Sequence, residues 1–477
     1  MKTLWIGFIV STLVSASVVA AQFQQDGRRP PAGGPPVEAI EACEGQQMGA
    51  SCTFPAPHGR IEGSCRRVPE GFVCVPNGRR FGPPADRPSA GEREPQRGEV
   101  RQRIEPTVIQ LEPSRPPLSP SMRRGVQVTG RVPDSGQTVC FSNRQRLNCT
   151  DTPQRFSGQD GHYSARQDYR DNGDGSVSDL VTGLRWQQAH NAQRLSYADA
   201  QAACSRLELA GSREWRLPTI TELFSISDWR IHEARQLYID DRIFDFAVPG
   251  QEVLLNDPYR ATHTTSMMGQ TWSSTEYVGE IALSPATRHL FFFNFLDGRI
   301  KAASKRGQTR LFYRCVSGEL WGDNLWQKNR DGTVSDAALE LMWQQRDDGQ
   351  PRDWSQALAY CEGLNLAGHN DWRLPNIKEL QTLVDYRYSD PAIDPRFFKQ
   401  QDKAGWFWSS TTHGENPAMA SYICFGPCTS VDGEDVHGAG AQRSDPKTGN
   451  PARWRARGGQ RDETRIFNYA RCVRDAD

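Results

Sequence analysis

The spacing of hydrophobic and polar residues predicts two pairs of short helices. Apolar residues within 354–364 fall at helical period, and Asp353 with Gln356 has the spacing of a capping box in front of them. A second apolar stripe over 377–384 follows Asn376, a residue type that caps helices. The predicted helices are 353–366 and the segment from Asn376, with counterparts over 196–209 and from Thr219, and the first helix of each pair is expected to end at Gly368 or Gly211.

Each pair of helices is followed by short runs of β-branched and aromatic residues, which are typical of strands. The runs are 271–275, 290–296 and 312–316 after the first pair, and 407–411, 420–425 and 469–473 after the second. Two helices followed by a strand-rich second half predict an α+β domain with a short-stranded antiparallel sheet.

The two halves are copies of one unit, because their landmark motifs recur 157 positions later. Asp-Gly, Trp-Gln-Gln, Trp-Arg-Leu-Pro and Arg-Cys begin at 174, 186, 215 and 314, and again at 331, 343, 372 and 471. A unit of this length is a whole domain, since the repeats of solenoid proteins run to roughly 20–50 residues. The Asp-Gly pair predicts a hairpin turn. A calcium loop does not fit, because Arg170 and Val181 would occupy its first ligand position and its closing glutamate position.

The start of the chain has the pattern of a secretory signal peptide: a basic residue, an apolar run and small residues before a polar break. An uncleaved membrane anchor is the alternative. No later window is apolar enough to span a bilayer, so no transmembrane span is expected in the mature chain. The predicted organisation is 1–21 signal peptide, 22–39 disordered, 40–77 small four-cysteine module, 78–135 disordered Pro/Arg-rich linker, 136–320 copy 1 and 321–477 copy 2.

Twelve cysteines in an exported chain are expected to pair, because the compartments outside the cytoplasm favour disulfides. Cys204 and Cys315 are as far apart as Cys361 and Cys472, although the segments between them differ. We therefore predict those two disulfides, each worth up to about 4–5 kcal/mol on the chain-entropy model. The other predicted disulfides are Cys140–Cys149, Cys424–Cys428 and two bridges among Cys43, Cys52, Cys65 and Cys74, whose connectivity stays open.

Together the repeated motifs resemble the Lcl C-terminal domain family. These motifs are Asp-Gly-Thr-Val-x-Asp, Leu-x-Trp-Gln, Trp-Arg-Leu-Pro-x-x-x-Glu-Leu, Trp-Ser-Ser-Thr and Arg-Cys-Val-Arg. The resemblance implies two tandem C-type-lectin-like α+β domains in an exported bacterial protein, with adhesion or glycosaminoglycan binding known for the namesake. Copy 1 departs from the last motif at Ser317, and the calcium-dependent sugar signatures of true C-type lectins are absent.

The leading functional hypothesis is an exported envelope or surface protein, periplasmic, at the outer surface or secreted, that binds through the segments in which the copies differ most, 228–269 and 413–462. The second segment contains a basic group that could recognise a glycan or a polyanion: Lys447, Arg453, Trp454, Arg455, Arg457 and Arg461. Another envelope protein is the alternative partner. Lys plus Arg equals Asp plus Glu at 57 each, so overall charge does not indicate a nucleic-acid partner.

Two alternatives remain open: a structural envelope component without a ligand, and a hydrolase that acts on envelope polymers. The hydrolase has little support, because neither His-Glu-x-x-His nor Gly-x-Ser-x-Gly occurs. No catalytic residue, metal ligand or cofactor is predicted, and the oligomeric state stays open.

Overall fold

The structure is a computed structural model, and its chain divides into two compact units, Met1–Pro113 and Ser114–Asp477. It describes residues 42–43, 46–56, 59–68, 71–76, 126–127, 130–191, 193–230, 237–246, 269–282, 287–305, 309–414, 416–451 and 461–476. The predicted signal peptide, the segment 22–39 and residues 78–125 of the predicted linker lie outside this part.

The first unit contains the small four-cysteine module. Its strands β1 (Ser51–Ala56), β2 (Gly59–Val68) and β3 (Gly71–Pro76) form one antiparallel sheet. Disulfides join Cys43 to Cys65 and Cys52 to Cys74, and all four sulfurs are buried. A module this small has little apolar surface to bury, so the two disulfides supply much of its stability.

The second unit contains both copies, and each copy has two helices and two small antiparallel sheets. Short elements precede copy 1: β4 (Val126–Gln127), β5 (Cys140–Phe141), β6 (Arg146–Leu147), the 3-10 turns η1 (Cys149–Asp151), η2 (Gln154–Phe156) and η3 (Asp160–His162), and β7 (Tyr163–Ser164). Copy 1 has β8 (Tyr169–Asp171), β9 (Ser176–Asp179), β10 (Arg185–Gln187), α1 (Tyr197–Ser205), α2 (Ile220–Ser225), β11 (Gln270–Tyr277), β12 (His289–Asn294), β13 (Arg299–Ser304) and β14 (Val316–Ser317). Copy 2 has β15 (Trp326–Lys328), β16 (Thr333–Asp336), β17 (Leu341–Gln344), α3 (Trp354–Glu362), α4 (Ile377–Thr382), β18 (Trp406–Thr412), β19 (Met419–Cys424), β20 (Gln442–Pro446) and β21 (Val473–Asp475).

The sheets of the two copies have the same topology, which confirms two tandem mixed domains. Copy 1 has the orders β14-β10-β9-β8 and β11-β12-β13, and copy 2 has β21-β17-β16-β15 and β18-β19-β20. Disulfides join Cys204 to Cys315 and Cys361 to Cys472, each across 111 residues, as the equal spacing predicts. Disulfides also join Cys140 to Cys149 and Cys424 to Cys428.

The first helix of each copy is shorter than its predicted length. Both helices begin at the predicted caps, Ser196 and Asp353, but they end at Ser205 and Glu362. In copy 2 the expected stop, Gly368, lies instead with Ala367 in a tight turn that bridges Leu366 to His369. Both turn residues have positive φ, the conformation of a two-residue hairpin turn, so the glycine ends a turn that follows the helix.

The segment before copy 1, residues 130–165, packs mainly against copy 2, and we call it the strap. The predicted boundary at 136 assigned most of it to copy 1. In the structure η2 packs on α3, and η3 packs on β18. The strap also contacts copy 1, since Trp229 N–H donates to Ser135 O at 2.7 Å. The sequence gives little sign of this packing, because about 200 residues or more separate the partners.

Equivalent elements of the two copies face each other where the copies meet. Helix α2 contacts α4, and strand β13 contacts β20. The Ile300 N–H donates to Gln442 Oε1, and these two residues occupy equivalent positions in their strands. This arrangement is that of an approximate two-fold interface inside one chain. Within the described residues, no helix combines the length and the apolar character that a membrane crossing requires.

Candidate functional site

Each copy presents the same face, centred on a lysine that directly follows the last strand of its three-stranded sheet. Lys305 follows β13 and Lys447 follows β20, and each backbone N–H donates to the residue just before the middle strand, Arg288 or Ala418. Each ammonium group also lies over the first aromatic residue of the copy's first helix. The two lysines are therefore structurally equivalent, although their separation in the sequence differs from the 157 positions of the repeat.

In copy 2 this face is closed by the strap. Lys447 is fully buried, and its Nζ lies 3.9 Å from the centre of the Trp354 ring and 5.3 Å from that of Phe141. It donates to Thr412 Oγ1 at 2.7 Å and to the strap carbonyl of Ser142 at 3.2 Å. No carboxylate of the described residues forms an ion pair with it, and burial lowers the pKa of Lys447 well below its usual value.

In copy 1 the same face is open to solvent. Lys305 lies 5.2 Å from the centre of the Tyr197 ring and forms an ion pair with Glu276, which also accepts from Arg288. The side chains of Lys305 and Glu276 are 34% and 32% exposed. The hydrogen bond from Lys305 lowers the pKa of Glu276. Glu276 occupies the position of Thr412, so copy 1 has a surface ion pair where copy 2 has a buried amine and hydroxyl.

The strap binds copy 2 along the outer edge of β18. The side-chain amide of Gln137 donates to Thr412 O at 2.9 Å and accepts from Thr412 N–H at 2.9 Å. One residue earlier, the Thr411 hydroxyl donates to Asp160 Oδ2. The two bonds of Gln137 satisfy backbone groups that an edge strand otherwise leaves to solvent.

The strap also covers the outer face of α3 with an aromatic residue. Phe156 is 1% exposed, and its ring centre lies 6.5 Å from that of Trp354. Leu358 on the same helix is fully buried, whereas its counterpart in copy 1, Gln201, is exposed. The difference between leucine and glutamine therefore matches the presence of the strap on one copy and its absence from the other.

A buried group of charges anchors the strap where it passes between α2 and α4. Lys378 Nζ donates to Asp134 O at 2.7 Å and to Ser225 O at 2.8 Å, and burial lowers its pKa to about 8. Burial and then the charge of Asp134 raise the pKa of Asp160 to about 7. The adjoining cavity has about 10 Å³, room for about one water molecule. The cavity is too small to hold a sugar. The hydrogen bonds of Lys378 to the strap and to α2 indicate that these residues anchor the strap.

A second charged group, which we call the seam cluster, lies where β13 faces β20. Its members are Asp297, Arg299 and Lys301 from copy 1, with His437, Arg443 and Asp462 from copy 2. Arg299 Nη1 and Lys301 Nζ lie 3.5 and 3.9 Å from Asp297 Oδ2. Arg443 and His437 both bond to Asp462, with His437 Nε2 at 2.8 Å from Oδ1. Lys301 and Arg443 occupy equivalent strand positions, so the interface between the copies brings two cations together.

The seam cluster combines several partly buried cations with an orphaned polar atom. Arg299 and Lys301 lie beside Asp297, Arg443 pairs with Asp462, and the backbone N–H of His437 donates to Asp435. Burial and then the charges of Arg443, Lys301 and Arg299 lower the pKa of His437 well below its usual value, so this imidazole is neutral near pH 7. His437 is 1% exposed, and its Nδ1 has no hydrogen-bond partner within the described residues. A buried imidazole nitrogen without a hydrogen-bond partner, next to three cations, suits the binding of an anion. The charge of the anion would favour the protonated form of the ring.

The structure separates the predicted ligand residues. Lys447 is buried under the strap, while Arg461 lies on the surface and forms an ion pair with Asp432. Arg461 directly precedes Asp462 of the seam cluster. The other four predicted residues, Arg453, Trp454, Arg455 and Arg457, lie outside the described residues.

Two sets of side chains within the described residues have the spacing of a metal site, but both consist mainly of disulfide sulfurs. A disulfide sulfur lacks the thiolate charge on which metal binding depends. The sets are Cys43 with Cys52 and Cys74, and Cys140 with Cys149 and His162.

Sequence reasoning missed Arg299, Lys301, His437 and Arg443. A signal existed for Lys301 and Arg443, because basic residues occupy matching positions of two matching strands. It could be found only after the strands had been aligned by their pairing, since the loops between the landmarks differ in length.

A family model described as the Lcl C-terminal domain matches residues 175–317 and 332–443, which together make up more than half of the chain. The first matched segment begins after the strap, in agreement with the strap as an addition to the repeated unit. No curated protein and no solved structure matches the chain.

Proposed function

We propose that this chain, which belongs to the Lcl C-terminal domain family, is an exported binding protein that recognises an anionic glycan or another polyanion at the seam cluster. The observation that carries the proposal is the meeting of Arg299, Lys301 and Arg443 at the interface between the copies. An adhesin-like role at the envelope or cell surface follows from this chemistry together with the predicted signal peptide. A C-type-lectin-like fold for each copy is part of the same proposal.

The seam cluster has properties that suit anion binding. The side chains of Arg299, Lys301 and Arg443 are 17%, 11% and 10% exposed, so their charges are only partly screened by water. Arginine presents a fork of donors that matches sulfate, phosphate and carboxylate groups. Arg461, 54% exposed, adds a cation beside the cluster and could extend the contact along a polymer.

The test is retention on a column of heparin, a sulfated polysaccharide, as salt increases. Arg299→Gln, Lys301→Gln and Arg443→Gln combined should lower the salt concentration at elution, because each lost cation releases fewer counterions on binding. The matched control combines Arg387→Gln with Arg396→Gln, two arginines whose side chains are 68% and 65% exposed on another part of copy 2. The control should elute close to the parent protein.

Two results would decide against the seam cluster. Unchanged retention of the triple variant, with loss after neutralisation of Arg453, Arg455 and Arg457, would assign binding to that loop alone. No retention of the parent protein on heparin or on a carboxylate-bearing polysaccharide would favour a structural envelope component. Thermal melting of each variant shows whether the substitution of Arg443, which pairs with Asp462, has unfolded the protein.

A further inference from the structure

One disulfide of this chain differs from the other five in its access to solvent. All twelve cysteines lie in the described part of the chain, and Cys149 alone is half-buried while the others are buried. Its partner, Cys140, is fully buried. Of the six bridges, this is therefore the one that an external thiolate reaches most readily, at Cys149, because both cysteines of every other bridge are buried.

A histidine lies beside the buried sulfur of the same disulfide. Nδ1 and Nε2 of His162 are both 3.7 Å from Cys140 Sγ, and Nε2 lies 3.2 Å from Cys149 O. The turn η3 holds the ring there, because its backbone runs close under the hairpin. A Cβ on Gly161 would lie 2.5 Å from Val139 O and 3.0 Å from Cys149 Sγ, so this approach requires glycine.

We propose that Cys140–Cys149 is a thiol–disulfide exchange site whose substrate is the thiolate of an external dithiol. The thiolate attacks Cys149 Sγ, the bond between Cys149 and Cys140 breaks, and the electron pair leaves on Cys140 Sγ. The departing Cys140 sulfur takes up a proton from water, and the adjacent His162 ring, when protonated, stabilises the negative charge that develops on this sulfur. The second thiol of the reductant then attacks the mixed disulfide and releases Cys149, so two electrons pass to the protein and the reductant becomes a disulfide.

The position of this bridge gives the exchange a structural consequence. The closed loop from Cys140 to Cys149 holds Phe141 and Ser142 against Lys447. Opening the disulfide frees the loop at one end, which lowers the cost of detaching it from the copy 2 face. The disulfide thus controls how firmly the strap covers Lys447 and Trp354.

The experiment treats the native full-length protein with low concentrations of dithiothreitol and traps free thiols with iodoacetamide. Peptide mass mapping then gives the rate at which each cysteine becomes labelled. Cys140 and Cys149 should be labelled at least about tenfold faster than any other pair, because exchange follows access to the sulfur. Earlier labelling of another pair, or labelling of Cys140 and Cys149 only at the rate of global unfolding, would overturn the proposal.

The role of His162 is tested by His162→Gln, which keeps a polar group near Cys149 O but does not become a cation. A chemical role predicts that labelling of Cys140 and Cys149 slows by about three- to tenfold. If His162 only packs against the hairpin, labelling of Cys140 and Cys149 should instead become faster, because a looser hairpin exposes the disulfide to the reductant. Unchanged or faster labelling would remove His162 from the mechanism, and the labelling rate of Cys204 and Cys315 in the same samples controls for general loosening.

Discussion

The faces around Lys305 and Lys447 show one structural position in two environments. Lys305 is partly exposed beside a carboxylate, whereas Lys447 is fully buried and bonds to a hydroxyl and a carbonyl. The strand pairing around the two lysines is equivalent, so we attribute the difference to the strap and to a few substitutions that accompany it.

The comparison teaches that the two copies protect the same strand edge in two ways. Thr412 pairs with Ala420 and Glu276 with Leu290 after the same irregularity, so the two residues occupy equivalent positions on an edge strand. Copy 2 covers that edge with Gln137 of the strap. Copy 1 surrounds it with charges, a common defence of an exposed edge against pairing with another chain. The two copies therefore share one arrangement of sheets, and copy 2 alone uses the edge of its sheet to bind the strap.

The largest expected effect comes from exchanging the residues that distinguish the two first helices. Leu358→Gln should lower the free energy of unfolding by about 3 kcal/mol, because it removes a buried leucine and places an amide under the strap. Gln201→Leu, the reverse change on copy 1, should alter it by less than about 0.5 kcal/mol, since the side chain is exposed. Denaturant unfolding of both variants measures the two values.

If Leu358→Gln and Gln201→Leu changed the free energy of unfolding equally, the strap would contribute no stability at Leu358. A further variant, Phe156→Ala, removes the strap side of the same contact. If Leu358 and Phe156 act together, the double variant should lose less stability than the sum of the single variants, because the contact can be lost only once.

The sequence was sufficient for features that depend on local spacing or on the repeat. The capping box at Asp353 and the helix starts at Thr219 and Asn376 form as predicted, and the long disulfides join the predicted cysteines. These features follow from short-range hydrogen bonds and from a comparison of the chain with itself. The tight turn at Gly368 was mistaken for a helix stop, because a glycine with positive φ serves both purposes.

The parts that the sequence did not predict are those in which distant segments meet. Lys447 was expected in an exposed basic group because arginines follow it, but 305 residues separate it from the strap residue Ser142 that accepts its hydrogen bond. The seam cluster likewise combines Arg299 with Arg443, which only the packing of β13 on β20 brings together. Burial of a charged residue by a remote segment leaves no periodic pattern in the sequence.

The next effect is the pH dependence of stability at Lys447. Because its pKa is lower in the folded protein than the usual value of 10.5, the unfolded chain binds more protons between these two pKa values. The free energy of unfolding should therefore rise with pH across that window, by at most about 1.4 kcal/mol per pH unit. Lys447→Met removes this contribution, so the difference between the parent protein and the variant should grow from pH 7 to pH 10.

The matched control for this measurement is Lys305→Met at the equivalent position of copy 1. It removes a lysine from the same backbone site but from a solvent-exposed ion pair. Urea unfolding at several pH values compares the two variants. A difference from the parent protein that changes with pH equally in both variants, or a difference for Lys447→Met that does not change with pH, would contradict the burial of an amine without a carboxylate partner.

The smallest expected effect is the loss of the charges that guard the open face of copy 1. Glu276→Thr introduces the copy 2 residue and should lower the free energy of unfolding by less than about 1 kcal/mol, because the ion pair is partly exposed. The loss should shrink further at high salt, since screening has already weakened the pair in the parent protein.

The same variant removes the charge from the strand edge, so light scattering should show more self-association than in the parent protein, whereas Arg387→Gln, away from the edge, should show none. A variant that stays monodisperse at high concentration would mean that the charges around Glu276 do not protect this edge and that the backbone geometry alone prevents pairing.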